Sequence, residues 1–257
     1  MGKAQWIAVA GSLVIIVLLY VGFRTKPISF QKVEDSRIVV ATTTTIESLL
    51  ADARAKISGP EANRIVGLEK QLDPEKPDAE VLKSLSSAWY ALGQGAISGH
   101  YAAEVAALEG TADAWSIAGT TFALALSGSR DEKIRGYCAE NGVIAFEKAI
   151  SLAPDDTQHR INLALLYTEQ PAAENPMQGI LMLVDLNKQY PDDPSVLFHL
   201  GRLAIQTGQA EKAVDRLTKA SELRPTHRET WCLLAQASEM AGNLPQAEIA
   251  QQKCDSI

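Results

Sequence analysis

The chain is short of cysteine, of aromatic residues and of positive charge, and each shortage removes a class of function. Three cysteines in 257 residues cannot build the framework that staples small secreted domains, and none sits in a Cys-x-x-Cys pair. Aromatics at 6% leave little with which to stack nucleobases. Lys and Arg number 24 against 31 Asp and Glu, a net charge of −7. Such a surface gains nothing from phosphate counterion release, which disfavours DNA or RNA as the main partner. No glycine-rich phosphate loop, Gly-x-Ser-x-Gly or His-Glu-x-x-His motif occurs. His100, His159, His199 and His227 have no second His or Cys at helical spacing, so no metal site is expected and each reads as a solvated surface residue. Asp131-Glu132 and Asp192-Asp193 are carboxylate pairs, expected at helix starts, where acids favour the dipole. The expectation is therefore a protein that is not an enzyme and carries no cofactor.

What is present begins with an apolar run. Residues 4–23 carry no charge, and at 1.5 Å per residue they span about 30 Å, the hydrocarbon thickness of a bilayer. Trp6 and Tyr20 stand near its ends as interfacial anchors would. The run is too long for a signal peptide and ends in Tyr20-Val21-Gly22-Phe23-Arg24, a poor cleavage site. Residues 1–25 are expected to be an uncleaved single-pass anchor and 26–43 a tether. Arg24, Lys26, Lys32 and Arg37 lie after the span and only Lys3 precedes it, which favours a cytoplasmic body, with an exported, periplasmic body as the alternative.

Thr44-x-x-Glu47 reads as a capping box for a helix to about Lys56. Ser58-Gly59-Pro60 breaks that helix, and a second runs to about Leu72. Residues 44–78 would thus form a hairpin that covers the first repeat. From residue 79 onward the sequence repeats. Pro191 and Pro225 are 34 apart, as are Leu200 and Leu234, Gly201 and Ala235, Gly208 and Gly242, and Ala213 and Ala247. The apolar spacing within each unit is helical and no strand alternation appears.

These residues resemble the tetratricopeptide repeat family. The clearest unit is 194–227, with Leu197, Leu200, Gly201 and Ala204 on a first helix, Gly208 in the turn, Ala213, Leu217 and Ala220 on a second, and Pro225 closing it. Unit 228–257 repeats the pattern from Trp231, with Thr226-x-x-Glu229 as its capping box. Units 157–193 and 112–156 fit with insertions at about 170–176 and 126–136, expected as loops on one edge. Unit 79–111 is the most degenerate. The resemblance implies an all-α fold, a right-handed α-solenoid of helix-turn-helix repeats behind the transmembrane helix. It also implies a groove lined by the first helices, with Lys83, Asn162, Phe198, His199, Arg202 and Gln236 as candidate contacts and Phe198 with Arg202 as the best-motivated pair. Ser87, Ser116, Thr120, Ile161, Leu165 and Cys232 occupy further groove-facing positions. Some family members clamp a C-terminal carboxylate, but Cys232, Phe198, Ile161 and Ser116 stand where that clamp needs Lys or Asn. Cys138, Cys232 and Cys254 read as free thiols, although Cys232 and Cys254 share a predicted hairpin that an exported body could oxidise. The expected function is a membrane-anchored scaffold or adaptor for protein or peptide partners, with self-association open. The alternative is a periplasmic assembly factor or holdase.

Overall fold

The computed structural model describes residues 44–257, so the predicted anchor and the tether lie outside the described residues. Among the described residues no helix is long and apolar enough to cross a membrane. They form α1 (Ile46–Arg54), α2 (Pro60–Glu69), α3 (Ala79–Ala91), α4 (Gly95–Glu109), α5 (Ala112–Gly128), α6 (Glu132–Leu152), α7 (Thr157–Glu169), α8 (Gln178–Gln189), α9 (Pro194–Gln206), α10 (Ala210–Leu223), α11 (Arg228–Met240) and α12 (Leu244–Ser256). The only extended pairing among them is one isolated bridge, Ala172 with Asn175.

From α3 onward each helix packs on the next, and α5, α7, α9 and α11, the first helices of successive units, touch in series. That is the contact pattern of stacked helical hairpins. Small residues set the spacing. Gly201 on α9 lies so close to α10 that a Cβ there would stand 2.6 Å from Leu217 Cγ, and Gly119 on α5 faces Phe146 of α6 in the same way. Leu200, Leu217, Phe122 and Phe146 fill the seams and are fully buried, worth about 1.5–3 kcal/mol each against exposure.

The turn inside three of the units is one motif used three times. Gly93, Gly208 and Gly242 have φ of 72°, 71° and 76°. At each, the glycine N–H and the next N–H fold back onto the helix: Gly208 to Ile205 at 3.1 Å and Gln209 to Ala204 at 2.8 Å, with the matching pairs at Gly93 and Gly242. This is the Schellman stop, which needs a residue free to adopt left-handed φ. Units 112–156 and 157–193 have Ser129 and Gln170 at the helix end instead, and these are the units with insertions.

The insertion expected as a loop at 126–136 is mostly helix. α5 has 17 residues and α6 has 21, joined by Ser129, Arg130 and Asp131 alone, because Asp131 caps α6 by accepting from the Lys133 N–H at 2.9 Å. Residues 171–177 do form an exposed loop. Asp156 and Asp193 cap α7 and α9 in the same way. The capping box expected at Thr226 does not form. The cap of α11 is His227, whose ring pairs with Thr230 Oγ1 at 2.8 Å and makes no bond to the backbone.

Residues Ile46–Ile257 make one compact unit. At one end, Ala53 of α1 and Ile65 of α2 join Leu82, Leu85 and Trp89 of α3 in a core, and Arg54 pairs with Glu69 at 2.7 Å. At the other, α12 turns Glu248, Gln251, Gln252 and Lys253 to solvent. There Cys232 and Cys254 are joined in a disulfide with their Cα atoms 5.0 Å apart, so two of the three thiols expected to be free are not. Two small residues facing each other across an antiparallel hairpin meet the distance a disulfide requires. Cys138 remains a free, buried thiol, pushed up to about 12 by desolvation and so unreactive.

Candidate protein-binding groove

The first helices α5, α7 and α9 enclose a depression of about 450 Å³ lined by Thr120, Leu124, Asn162, Leu165, Arg202 and Gln206. Leu124 is exposed on it, and Ile117 is exposed two turns earlier on α5. A second hollow of about 250 Å³ lies between the starts of α7, α9 and α11, lined by Gln158, Ser195, Phe198, His199, Arg224 and His227. The helix starts are tied together, since Thr157 Oγ1 donates to Asp193 Oδ2 at 2.7 Å.

The two hollows have no lining residue in common, but both are bounded by α7 and α9. On α7, Gln158 Nε2 donates to Asn162 Oδ1 at 2.9 Å, the first residue lining one hollow and the second the other. On α9, His199 lines one and Arg202 the other, one turn apart. A ligand lying along this wall would therefore meet both. A third hollow of about 250 Å³ sits between α3, α4 and α5, lined by Lys83, Ser87 and Ile117 among others.

Its electrostatics are uneven. Lys83 Nζ is held by Glu80 at 2.9 Å and Glu109 at 3.0 Å, which raises its pKa, first through the hydrogen bonds to these two carboxylates. The His199 imidazole is pushed down to about 4, mainly by burial and then by Arg202 and His227 beside it, so it is neutral at pH 7. Its Nδ1 and the Arg202 Nε are buried with no hydrogen-bond partner.

The structure spreads the six expected contact residues over different surroundings. Asn162 and Arg202 line the central hollow and His199 the second. Phe198 lines the second hollow too, but only 9% of it is exposed. Its ring is packed edge-on between His199 at 5.0 Å and His227 at 5.1 Å. It is thus a wall rather than a docking platform, and the expected pairing of Phe198 with Arg202 as joint contacts is not how the groove is built. Lys83 faces the third hollow, already ion-paired. Gln236 is exposed on α11 and lines neither shared hollow. Of the further positions, Ile161 is fully buried and Cys232 is taken up by the disulfide.

The histidines are not solvated as expected. His159 is 3% exposed, 3.6 Å from Asp156 Oδ2, and both its ring nitrogens lack a hydrogen-bond partner. His199 and His227 are half-buried. Arg224, His227 and Gln158 do not stand out in the sequence. They flank Pro225 or begin a helix, where repeat spacing says nothing of side-chain direction.

The inserted edge is joined as expected of neighbouring units. Arg135 of α6 reaches the next unit, donating to Gln170 Oε1 at 2.7 Å while its other amine donates to Leu126 O at 2.9 Å.

Comparison with known proteins matches residues 194–227 to the tetratricopeptide repeat. No curated protein matches the chain. Solved structures similar to it include MamA from AMB-1 (16% identity, covering 87% of this chain and 92% of that one, TM-score 0.37). MamA from MSR-1 is 20% identical over 82% and 92% of the two chains (TM-score 0.36). MamA residues 41 to the end from Desulfovibrio magneticus RS-1 is 16% identical over 69% and 93% (TM-score 0.45). At these identities and scores the likeness says nothing of what the groove binds.

Proposed function

We propose that the chain is a membrane-tethered, non-enzymatic scaffold that holds a protein segment in the groove formed by α5, α7 and α9. The observation that carries this is the pair of neighbouring hollows along the first helices, walled by stacked helices, the central one lined by an exposed apolar residue, Leu124, beside polar ones. The apolar run 4–23 supports the tether. A photo-crosslinking residue placed at Leu165 in the groove should yield discrete protein adducts in cells. One at Leu181, exposed on the second helix α8, should not. Equal adducts at both, or none at Leu165, would remove the groove from the reading.

The side of the membrane turns on two opposing signals. The charges after the span favour a cytoplasmic body, whereas the Cys232–Cys254 disulfide favours an oxidising compartment. The charge bias rests on a handful of residues, so the reading sides with the disulfide and an exported body. That strengthens the assembly-factor or holdase form of the scaffold over a cytoplasmic adaptor. Protease treatment of intact cells, cells with the outer barrier breached and fully opened cells, followed through a C-terminal epitope, decides it. Cutting only after the inner membrane is opened would overturn the exported body.

A further inference from the structure

The groove contains a cation without an acceptor. Four arginines of the helical body are half-buried: Arg135, Arg160, Arg202 and Arg216. Arg135 donates to Leu126 O, Arg160 to Pro154 O and Arg216 to Leu200 O. Among the described residues Arg202 alone of the four has no hydrogen bond or ion pair, and its buried Nε faces no acceptor. A buried donor left open costs its full desolvation, so an arginine in this state is poised for a group that arrives from outside. In the adjoining hollow the exposed Arg224 has only Ser195 Oγ, at 3.3 Å, and no carboxylate within ion-pair distance among the described residues.

The acids nearby leave both arginines without an ion pair. Asp193 accepts from Ser195 N, Val196 N and Thr157 Oγ1. Glu169 borders the central hollow and Glu229 the second, and neither pairs with Arg202 or Arg224. Two guanidiniums without a carboxylate partner, one in each hollow, run against the chain's net charge of −7.

We infer that the groove takes an acidic linear protein segment, its carboxylates on Arg202 and Arg224 and an apolar side chain against Leu124 and Leu165. Guanidinium and carboxylate form paired, charge-assisted hydrogen bonds, which a glutamine in place of the acid cannot match. This rests on the groove being the binding surface, and the test separates the two ideas.

The probes are two immobilised peptides, a Leu-Glu-Ser repeat and its Leu-Gln-Ser twin, with the full chain in detergent micelles. The glutamate peptide should bind at least about tenfold tighter than its twin. That advantage should collapse as salt rises from about 0.05 to about 0.5 M. Arg202→Gln and Arg224→Gln together should erase it, while Lys188→Gln, on the exposed side of α8, leaves it intact. The salt series uses the unmodified chain, so it stands even if the double variant folds poorly. Equal binding of the twins overturns acid recognition and leaves the groove standing. An advantage that survives high salt or the double variant also overturns it. Failure to retain either peptide overturns both.

Discussion

At the scale of single residues, His199 links the groove to acidity. An unfolded chain would protonate this imidazole near its ordinary value of 6.5, whereas burial, helped by Arg202 and His227, holds it at about 4 in the fold. Between those values the unfolded state binds the extra proton. His199 therefore costs stability as pH falls through that window and nothing further below it. Thermal midpoints measured at about pH 7 and about pH 4.5 should drop more for the unmodified chain than for His199→Gln, and an equal drop would show that the site does not perturb the ring. The sequence could not reveal this. His199 was legible as a groove-side position from its place beside Phe198, but Arg224 and His227, from the far end of the same unit, share its hollow, and repeat spacing does not say so. Phe198 shows the same limit from the other side. Repeat position predicted where its Cα would lie, and packing of two histidine rings against it decided how little of it is left to touch.

At the scale of the element, the turns carry the most legible information. Gly208 and Gly242 repeat at 34 residues, and both hold the left-handed stop. Gly208→Ala forces a Cβ into that conformation and should cost about 1–2 kcal/mol in urea melts. Gly201→Ala tests close packing instead, because its Cβ would meet the buried Leu217 at 2.6 Å. It should cost about 1–3 kcal/mol. Where the glycine is missing, the elements are harder to read from the sequence. The residues 126–136 look like a loop, with Ser127, Gly128, Ser129 and Arg130 in succession, yet most of them extend α5 and α6. The local signal is Asp131, a helix-start acid that does cap α6, and contacts across the edge add to it. Arg135 is the chief one, bridging Leu126 O to Gln170 Oε1 with a side chain only 17% exposed. Arg135→Ala should destabilise by about 1–3 kcal/mol. It should also speed proteolysis in 170–177 without changing overall helicity, and unchanged cleavage would show that the loop holds itself. Deleting 171–176 spares Gln170 and is the cleaner test of whether that edge captures a partner.

At the scale of the whole molecule, the repeat pattern announced the stack and left the covalent link open. The spacing put Cys232 and Cys254 on one hairpin, but thiol count and composition argued for free cysteines, and only the geometry of two facing helices brings them within bonding distance. Cys232→Ser with Cys254→Ser should lower stability by about 3 kcal/mol, as expected for a loop of this size. Alkylation after denaturation without reductant, followed by mass analysis, should find one free thiol, Cys138. Three alkylated cysteines would place the chain in a reducing environment and withdraw the exported body. The bond also changes how the protein bears load. Stacked hairpins peel from an end one at a time, and a tether at one terminus with a partner at the other would set the array under tension. With the staple closed, the stretch between the cysteines, which are 22 positions apart, cannot unspool. A pull applied at Ile257 passes from α12 directly to α11. In single-molecule extension the last hairpin should hide about 75 Å of contour length, released as an added step when a reductant is introduced.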